Sequence, residues 1–86
     1  MSAQGNLITL TIISAAGPLT EQFNIKMKVH AVKVRAMAHF KIDPATADRY
    51  WLRYQQTRLT EDKTLEEQNI PDGAQLYLET SPPAAG

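Results

Sequence analysis

Two stretches near the start of the chain alternate between apolar and polar residues. From Leu7 to Ser14, isoleucine and leucine alternate with threonine, and from Leu19 to Lys26, Phe23 and Ile25 continue the alternation. Because neighbouring side chains of a strand point to opposite faces, each stretch is predicted to be a strand with one buried face. The Ala-Ala-Gly-Pro sequence between them, Ala15 to Pro18, predicts the turn of a β-hairpin.

The apolar spacing changes to three or four residues between Val29 and Lys41. This spacing places apolar side chains on one side of a helix, so an amphipathic helix of about three turns is predicted. Its apolar positions are Val29, Val32, Ala36, Met37 and Phe40, and the polar positions between them are Lys33, Arg35, His39 and Lys41. Pro44 ends the helix because the residue before a proline disfavours the α conformation, and a loop is predicted from Pro44 to Asp48.

The second half of the chain holds an aromatic-rich predicted strand, Arg49 to Gln55, and a final one, Ala74 to Thr80. The inward positions are predicted to be Tyr50, Leu52, Tyr54, Leu76 and Leu78, and the outward positions Trp51, Arg53, Tyr77 and Glu79. Between these strands, Arg58 and Leu59 are predicted to form a very short strand. Thr64 to Gln68 is predicted to be one capped helical turn, in which Thr64 is the N-cap and Glu67 its partner.

Composition and charge narrow the classes of function. The 86 residues suffice for one domain, and nine basic residues balance nine acidic ones. A net charge of zero gives no reason to expect a nucleic acid or a membrane surface as partner. The absence of cysteine excludes disulfides, thiolate metal sites and a cysteine nucleophile, and it fits a cytoplasmic protein. No stretch approaches the roughly 20 apolar residues of a membrane span, and a monomer is expected.

The residue types that most often carry catalysis are poorly placed for it. His30 and His39 are far enough apart in the predicted helix to point to opposite sides, so they share no task. Nothing in the sequence pairs either histidine with a carboxylate. The acidic pairs at 61–62 and 66–67 flank a turn and a helix cap, where solvated carboxylates are expected. Without a phosphate loop, metal-ligand spacing or nucleophile motif, the chain is predicted to be neither an enzyme nor a binder of a metal or cofactor.

The second half of the chain resembles ubiquitin-like proteins of the β-grasp family. Residues 58–65 and 69–78 carry a Leu, an acidic turn, a Thr-Leu pair, an Asn-Ile pair and a Leu-x-Leu strand at matching spacing. The Trp-Leu-Arg tract at 51–53 and the Pro-Asp-Gly turn at 71–73 resemble bacterial ubiquitin-like proteins. Those proteins come from operons that also encode homologues of activating enzymes, conjugating enzymes and deconjugating proteases.

This resemblance implies an α+β fold, a β-grasp (ubiquitin-like) roll in ββαββ order. A four- to five-stranded mixed sheet would pack on one helix. The domain would span residues 7–80, between a flexible N-terminus at 1–6 and a flexible tail at 81–86.

The resemblance also implies a function for the tail. Ubiquitin-like modifiers are activated and conjugated through the carboxylate of a C-terminal glycine, here Gly86. The residues before it are small or proline and favour a thin, extended chain that an activating enzyme could read; they are Ser81, Pro82, Pro83, Ala84 and Ala85. Ubiquitin ends in two glycines after an arginine-containing extension. Here Ala85 replaces the first glycine, so a cognate activating enzyme would read a different tail.

The outward positions of the last strands form a predicted partner-binding face of Trp51, Arg53, Tyr77 and Glu79. By the resemblance, Arg53 and Glu79 occupy the places of the isoleucine and valine of ubiquitin's apolar patch. Trp, Tyr and Arg are enriched at binding hot spots. Two other interpretations stay open: a solvated sheet with a weak Arg–Glu pair, or a register that puts Trp51 in the core.

Two other functions stay open beside the modifier. The chain could be a non-covalent β-grasp adaptor or subunit that binds a partner through the exposed sheet face, or, less favoured, a sulfur carrier. If the modifier forms chains, the candidate acceptor lysines are Lys26, Lys28, Lys33, Lys41 and Lys63. The target, an amide or ester linkage, and whether Gly86 is a native or processed end are not determined by the sequence.

Overall fold

Five strands form one mixed sheet that packs on a single α-helix. The computed structural model describes residues 6–81. Its elements are β1 (Leu7–Ser14), β2 (Gly17–Asn24), α1 (Val29–His39), a 3-10 helix (Pro44–Arg49), β3 (Tyr50–Tyr54), β4 (Thr57–Arg58) and β5 (Gln75–Thr80). The strand order is β2-β1-β5-β3-β4, with β1 parallel to β5 and the other neighbours antiparallel. This confirms the predicted α+β β-grasp fold.

The first hairpin has a tighter turn than the sequence predicted. Ser14 pairs with Gly17, so only Ala15 and Ala16 lie outside the ladder. Strand β2 therefore starts at Gly17 and ends at Asn24, instead of running from Leu19 to Lys26. Gly17 has a φ of 123°, which only glycine adopts at little cost, and this lets the chain reverse within two residues.

The core lies between the inner face of the sheet and α1. The predicted inward leucines of β3 and β5, Leu52, Leu76 and Leu78, are all buried. The helix contributes Val29, Val32, Ala36 and Met37. Burial of these side chains supplies most of the favourable free energy of folding. Within residues 6–81 no helix is both long and apolar enough to cross a membrane.

The helix and the segment after it differ from the prediction. Helix α1 ends at His39 instead of Lys41, because Phe40 leaves the helical region and Lys41 has a φ of 60°. The stretch predicted as a loop forms a 3-10 helix, Pro44–Arg49. It begins with proline at its first position and with the carboxylate of Asp43 accepting a hydrogen bond from the Ala45 N–H at 2.9 Å.

Lys33 was predicted as an exposed polar position, but its side chain is 1% exposed. Its ammonium donates to the carbonyls of Ala47 at 2.6 Å and Tyr50 at 3.2 Å, and to both carboxylate oxygens of Glu61 at 2.8 Å. A buried charge is tolerated only when it is paired and hydrogen-bonded, and the three protons of Lys33 all have acceptors. Lys33 thus joins α1 to the 3-10 helix, the start of β3 and the Glu61 turn.

Glu61 also contacts His30, which corrects two predictions. The Nδ1 atom of His30 lies 3.1 Å from Oε1 of Glu61, so this histidine does pair with a carboxylate, and Glu61 is not simply solvated. Desolvation raises the pKa of Glu61, but the hydrogen bonds from Lys33 and His30 outweigh it and hold the pKa below its usual value.

The turns before β5 follow the prediction more closely. The Thr64 N–H donates to Glu67 at 2.9 Å and the Glu67 N–H donates to the Thr64 hydroxyl at 3.0 Å, which is the predicted reciprocal cap. In the next turn, Asp72 accepts a hydrogen bond from the Thr9 N–H at 2.7 Å. This contact fastens the turn to β1. The very short strand β4 is Thr57–Arg58, one residue earlier than predicted.

Replacing Glu61 by alanine is expected to destabilise the domain by about 2 kcal/mol or more, because it leaves the buried Lys33 ammonium without its counter-charge. The free energy of unfolding from urea titration measures this loss. Glu66→Ala is the matched control: Glu66 pairs with Lys26 in an ion pair in which both side chains are about half exposed. Its loss should be below about 1 kcal/mol. Equal losses for the two variants would contradict the role given to Lys33.

The same pair predicts how stability responds to acid. The lowered pKa of Glu61 means that its contribution is present above the unfolded value of about 4.3 and is lost as the pH falls through the folded value. The difference in unfolding free energy between the wild-type chain and Glu61→Ala should therefore shrink as the pH falls from about 6 to about 3. A difference that stays constant over this range would show that Glu61 is not the titrating group.

Candidate functional site

The structure brings the four predicted face residues together on the side of the sheet opposite the helix. Trp51 pairs with Glu79 and Arg53 pairs with Tyr77 across β3 and β5. All four side chains are half-buried. We call Trp51, Arg53, Tyr77 and Glu79 the outer face. Their register excludes the interpretation in which Trp51 lies in the core.

Glu79 is the centre of the outer face. Its Oε1 atom accepts hydrogen bonds from Trp51 Nε1 at 3.2 Å and Arg53 Nε at 3.0 Å. Its Oε2 atom lies 3.0 Å from Arg53 Nη2. The pair is therefore bidentate, the arrangement that gives Arg–carboxylate contacts their strength and direction. The indole is fixed through the same carboxylate.

Arg53 is also held by its remaining groups. Its Nη1 atom donates to the carbonyl of Gln55. Its guanidinium lies over the ring of Tyr77, 4.6 Å from the ring centroid. The hydrogen bond from Arg53 lowers the pKa of Glu79, and that same bond raises the pKa of Arg53, so both groups are charged at neutral pH. The two charges neutralise each other locally.

Arg58 is a fifth residue of the outer face, and it was not predicted from the sequence. It is the direct cross-strand partner of Arg53, so the two side chains share a face. Its guanidinium lies over the Trp51 ring, 4.5 Å from the centroid. The available signal was the turn at 55–56: a two-residue connection after Tyr54 places Arg58 opposite Arg53.

A shallow groove of about 1100 Å³ adjoins the outer face. It is lined by Arg53 and Tyr77 together with residues of the β3–β4 turn and of the turn before β5, among them Gln55, Thr57, Asp72 and Gln75. These lining side chains are mostly polar. The groove thus joins the outer face to the turn before β5.

The predicted tail begins at the end of β5. The Ser81 N–H and the Thr80 hydroxyl both donate to the Arg49 carbonyl, at 3.3 Å and 3.0 Å. The chain therefore leaves the domain beside the end of the 3-10 helix, with Ser81 exposed. The remaining tail positions of the prediction, Pro82, Pro83, Ala84 and Ala85, and the conjugation residue Gly86 lie outside the described residues.

The lysines differ in their access to other proteins. Lys33 is buried against Glu61, so it is not available as an acceptor of an isopeptide link in the folded domain, contrary to the prediction. The other candidates, Lys26, Lys28, Lys41 and Lys63, are exposed. Among residues 6–81 no group of three His, Asp or Glu side chains is placed to hold a metal ion.

Comparison with solved structures places the fold among ubiquitin-like proteins. Ubiquitin from Caldiarchaeum subterraneum is 26% identical, with a TM-score of 0.76 over 92% of this chain and 99% of that one. A protein designed on the basis of ubiquitin is 20% identical, with a TM-score of 0.77 over 95% and 98% of the two chains. A ubiquitin-like domain from Arabidopsis thaliana is 18% identical, with a TM-score of 0.78 over 99% and 89%.

The fold is that of ubiquitin-like β-grasp domains, as the sequence resemblance predicted. Among the similar structures, the archaeal ubiquitin matches along nearly its whole length. No protein-family model and no curated protein matches the sequence. The assignment to this class therefore rests on tertiary structure.

The stacking of Arg58 on Trp51 predicts a fluorescence change. Trp51 is the single tryptophan, so its emission reports on the outer face alone. Arg58→Ala should uncover the ring and increase quenching by acrylamide, because the guanidinium covers one side of the indole. Arg35→Ala is the matched control, since Arg35 contacts Glu21 and Phe23 instead. Equal quenching in Arg58→Ala and the wild-type chain would contradict the stacked arrangement.

Proposed function

We propose that this chain is a ubiquitin-like protein modifier that partner enzymes activate and conjugate through Gly86. The observation that carries the proposal is the fold, which matches an archaeal ubiquitin over 99% of that chain's length. The tail composition supports it, because small residues and prolines lead from Ser81 to a terminal Gly86. The exposed position of Ser81 lets such a tail extend away from the domain.

The chemistry would take place in the partners' active sites. An activating-enzyme homologue joins the Gly86 carboxylate to the AMP of ATP and releases pyrophosphate. A cysteine thiolate of that enzyme displaces AMP, and the resulting thioester passes to a conjugating-enzyme homologue. An amine or hydroxyl of the target then attacks the carbonyl and releases the thiol. Glycine suits this route because no Cβ hinders attack at its carbonyl.

The chain itself contributes recognition and no catalytic residue. The outer face would bind one of these partners, and a deconjugating protease would reverse the modification. We place this pathway in the bacterial cytoplasm, with the chain acting as a monomer and without nucleic acid, membrane, metal or cofactor. The balanced charge supports the lack of a nucleic-acid or membrane partner, and the lack of cysteine supports the cytoplasmic location.

The second candidate is a non-covalent adaptor, and the ordered outer face favours it. Trp51 and Arg53 are already fixed by Glu79 before any partner binds. Such preorganisation lowers the entropy lost on binding. An adaptor would need the face but not the tail, which separates it from the modifier. A sulfur carrier would instead show a mass increase of one oxygen-to-sulfur exchange at Gly86.

Mixing the chain with ATP and an activating-enzyme homologue from its own organism should produce a thioester adduct that reducing agent removes. Deletion of Gly86 should abolish this adduct, and Ala84→Gly, which alters the tail but keeps its last residue, should retain it. Denaturing gels without reductant and intact-mass spectrometry measure the product.

Two results would oppose the modifier. The first is the absence of an adduct with the full-length chain, and the second is an adduct that persists after deletion of Gly86. If removal of residues 81–86 leaves partner binding unchanged while Trp51→Ala abolishes it, the adaptor is the correct function.

A further inference from the structure

Arg53 and Arg58 lie side by side on the outer face but differ in whether their N–H groups are free. Arg53 directs Nε and Nη2 to Glu79 and Nη1 to the carbonyl of Gln55, so all three of its nitrogens are engaged. Arg58 is exposed and forms no ion pair or side-chain hydrogen bond with any residue between positions 6 and 81. A guanidinium carries five N–H donors, and those of Arg58 have no acceptor in this part of the chain.

Stacking on Trp51 sets the direction of these donors. The guanidinium of Arg58 lies over the indole ring at 4.5 Å, and the ring is held in turn by its hydrogen bond to Glu79. A stacked guanidinium uses its flat face for the aromatic contact, while its N–H groups lie in the plane and point outward. Arg58 is therefore held in position without using the groups that could bind a ligand.

Charge on the outer face points to the kind of ligand. Arg53 and Glu79 neutralise each other, which leaves the positive charge of Arg58 uncompensated beside the half-buried rings of Trp51 and Tyr77. Like charges opposite each other on neighbouring strands are unfavourable, and the pairing of Arg53 with Glu79 limits that cost. A carboxylate on Arg58 would complete the pattern of alternating charges.

The geometry points to Arg58 as the charged anchor of the outer face, and to a protein partner that places a Glu or Asp carboxylate on it. An apolar side chain of that partner would rest on Trp51 and Tyr77. This inference rests on the proposed role of the outer face in partner binding. A carboxylate is favoured over a polyphosphate because nucleic-acid binding relies on several clustered cations, whereas one uncompensated arginine matches one carboxylate.

In the test, a capped tetrapeptide of alternating glutamate and leucine is titrated into the full chain, and binding is measured by NMR. The indole N–H of Trp51 and the Nε–H of Arg58 should shift as the peptide is added. Arg58→Gln should weaken binding about tenfold, the effect expected for loss of a charge-assisted bidentate contact. The same peptide with glutamine in place of glutamate should lose affinity to a similar extent.

Two variants test whether peptide binding depends on Arg58 itself or on positive charge anywhere on the domain. Arg35→Gln removes an arginine that lies on the helix and pairs with Glu21, and it should leave peptide binding within about twofold of wild type. Arg58→Glu should reverse the preference, so that a lysine–leucine peptide binds in place of the acidic one.

Several outcomes would overturn the inference. They are no shift at Trp51 or Arg58, equal losses in Arg58→Gln and Arg35→Gln, or stronger binding of inorganic phosphate or a short oligonucleotide than of the acidic peptide. A gain of about tenfold after truncation beyond Ser81 would show that the chain's own tail occupies Arg58. The titration needs neither Gly86 nor an activating enzyme, so its failure is distinguishable from failure of the conjugation assay.

Discussion

The buried ammonium of Lys33 is the constraint around which the helical side of this domain is organised. It lies in a core that is otherwise apolar, so the chain must bring it acceptors from outside the helix. Those acceptors come from Ala47, Tyr50 and Glu61. One charge thereby connects α1 to the 3-10 helix, to the start of β3 and to the Glu61 turn. Breaking the pair is costly, because the buried ammonium of Lys33 would remain without its counter-charge.

The outer face also contains paired charges, but they are more exposed to water than the ammonium of Lys33. Its charges are only half-buried, so water still screens them, and each adds little to stability. These charges instead supply order, because Glu79 holds Trp51 and Arg53 in one arrangement. A face that is fixed in advance loses less entropy on binding. At the positions where the resemblance places the apolar patch of ubiquitin, this face combines aromatic area with directed hydrogen bonds.

Much of the fold could be predicted from the sequence, because hydrophobic periodicity reports burial directly. The alternation at Leu10 and Ile12, and again at Leu76 and Leu78, identified strands whose inner faces are indeed buried. The reciprocal cap of Thr64 and Glu67 was recognisable because its partners are three residues apart. The errors fell at element ends, and the stretch from Pro44 was predicted as a loop where the chain forms a 3-10 helix. There, the cap from Asp43 begins a short helix, and Lys33 donates a hydrogen bond to the Ala47 carbonyl within it.

For the outer face too, part of the arrangement could be predicted from the sequence and part could not. Strand alternation by itself placed Trp51, Arg53, Tyr77 and Glu79 on one side of the sheet, since each strand has only two faces. The register of the strands decided the rest. It placed Arg58 beside Arg53 and brought the Glu79 carboxylate within reach of Nε and Nη2 of Arg53. Likewise, periodicity counted Lys33 as a polar helix position, and only its contacts with residues 14 to 28 positions away made it a buried one. The sequence by itself determined which strands exist and which of their apolar residues are inside. Tertiary structure alone decided which charges meet, because pairing depends on distances between segments that the order of residues does not specify.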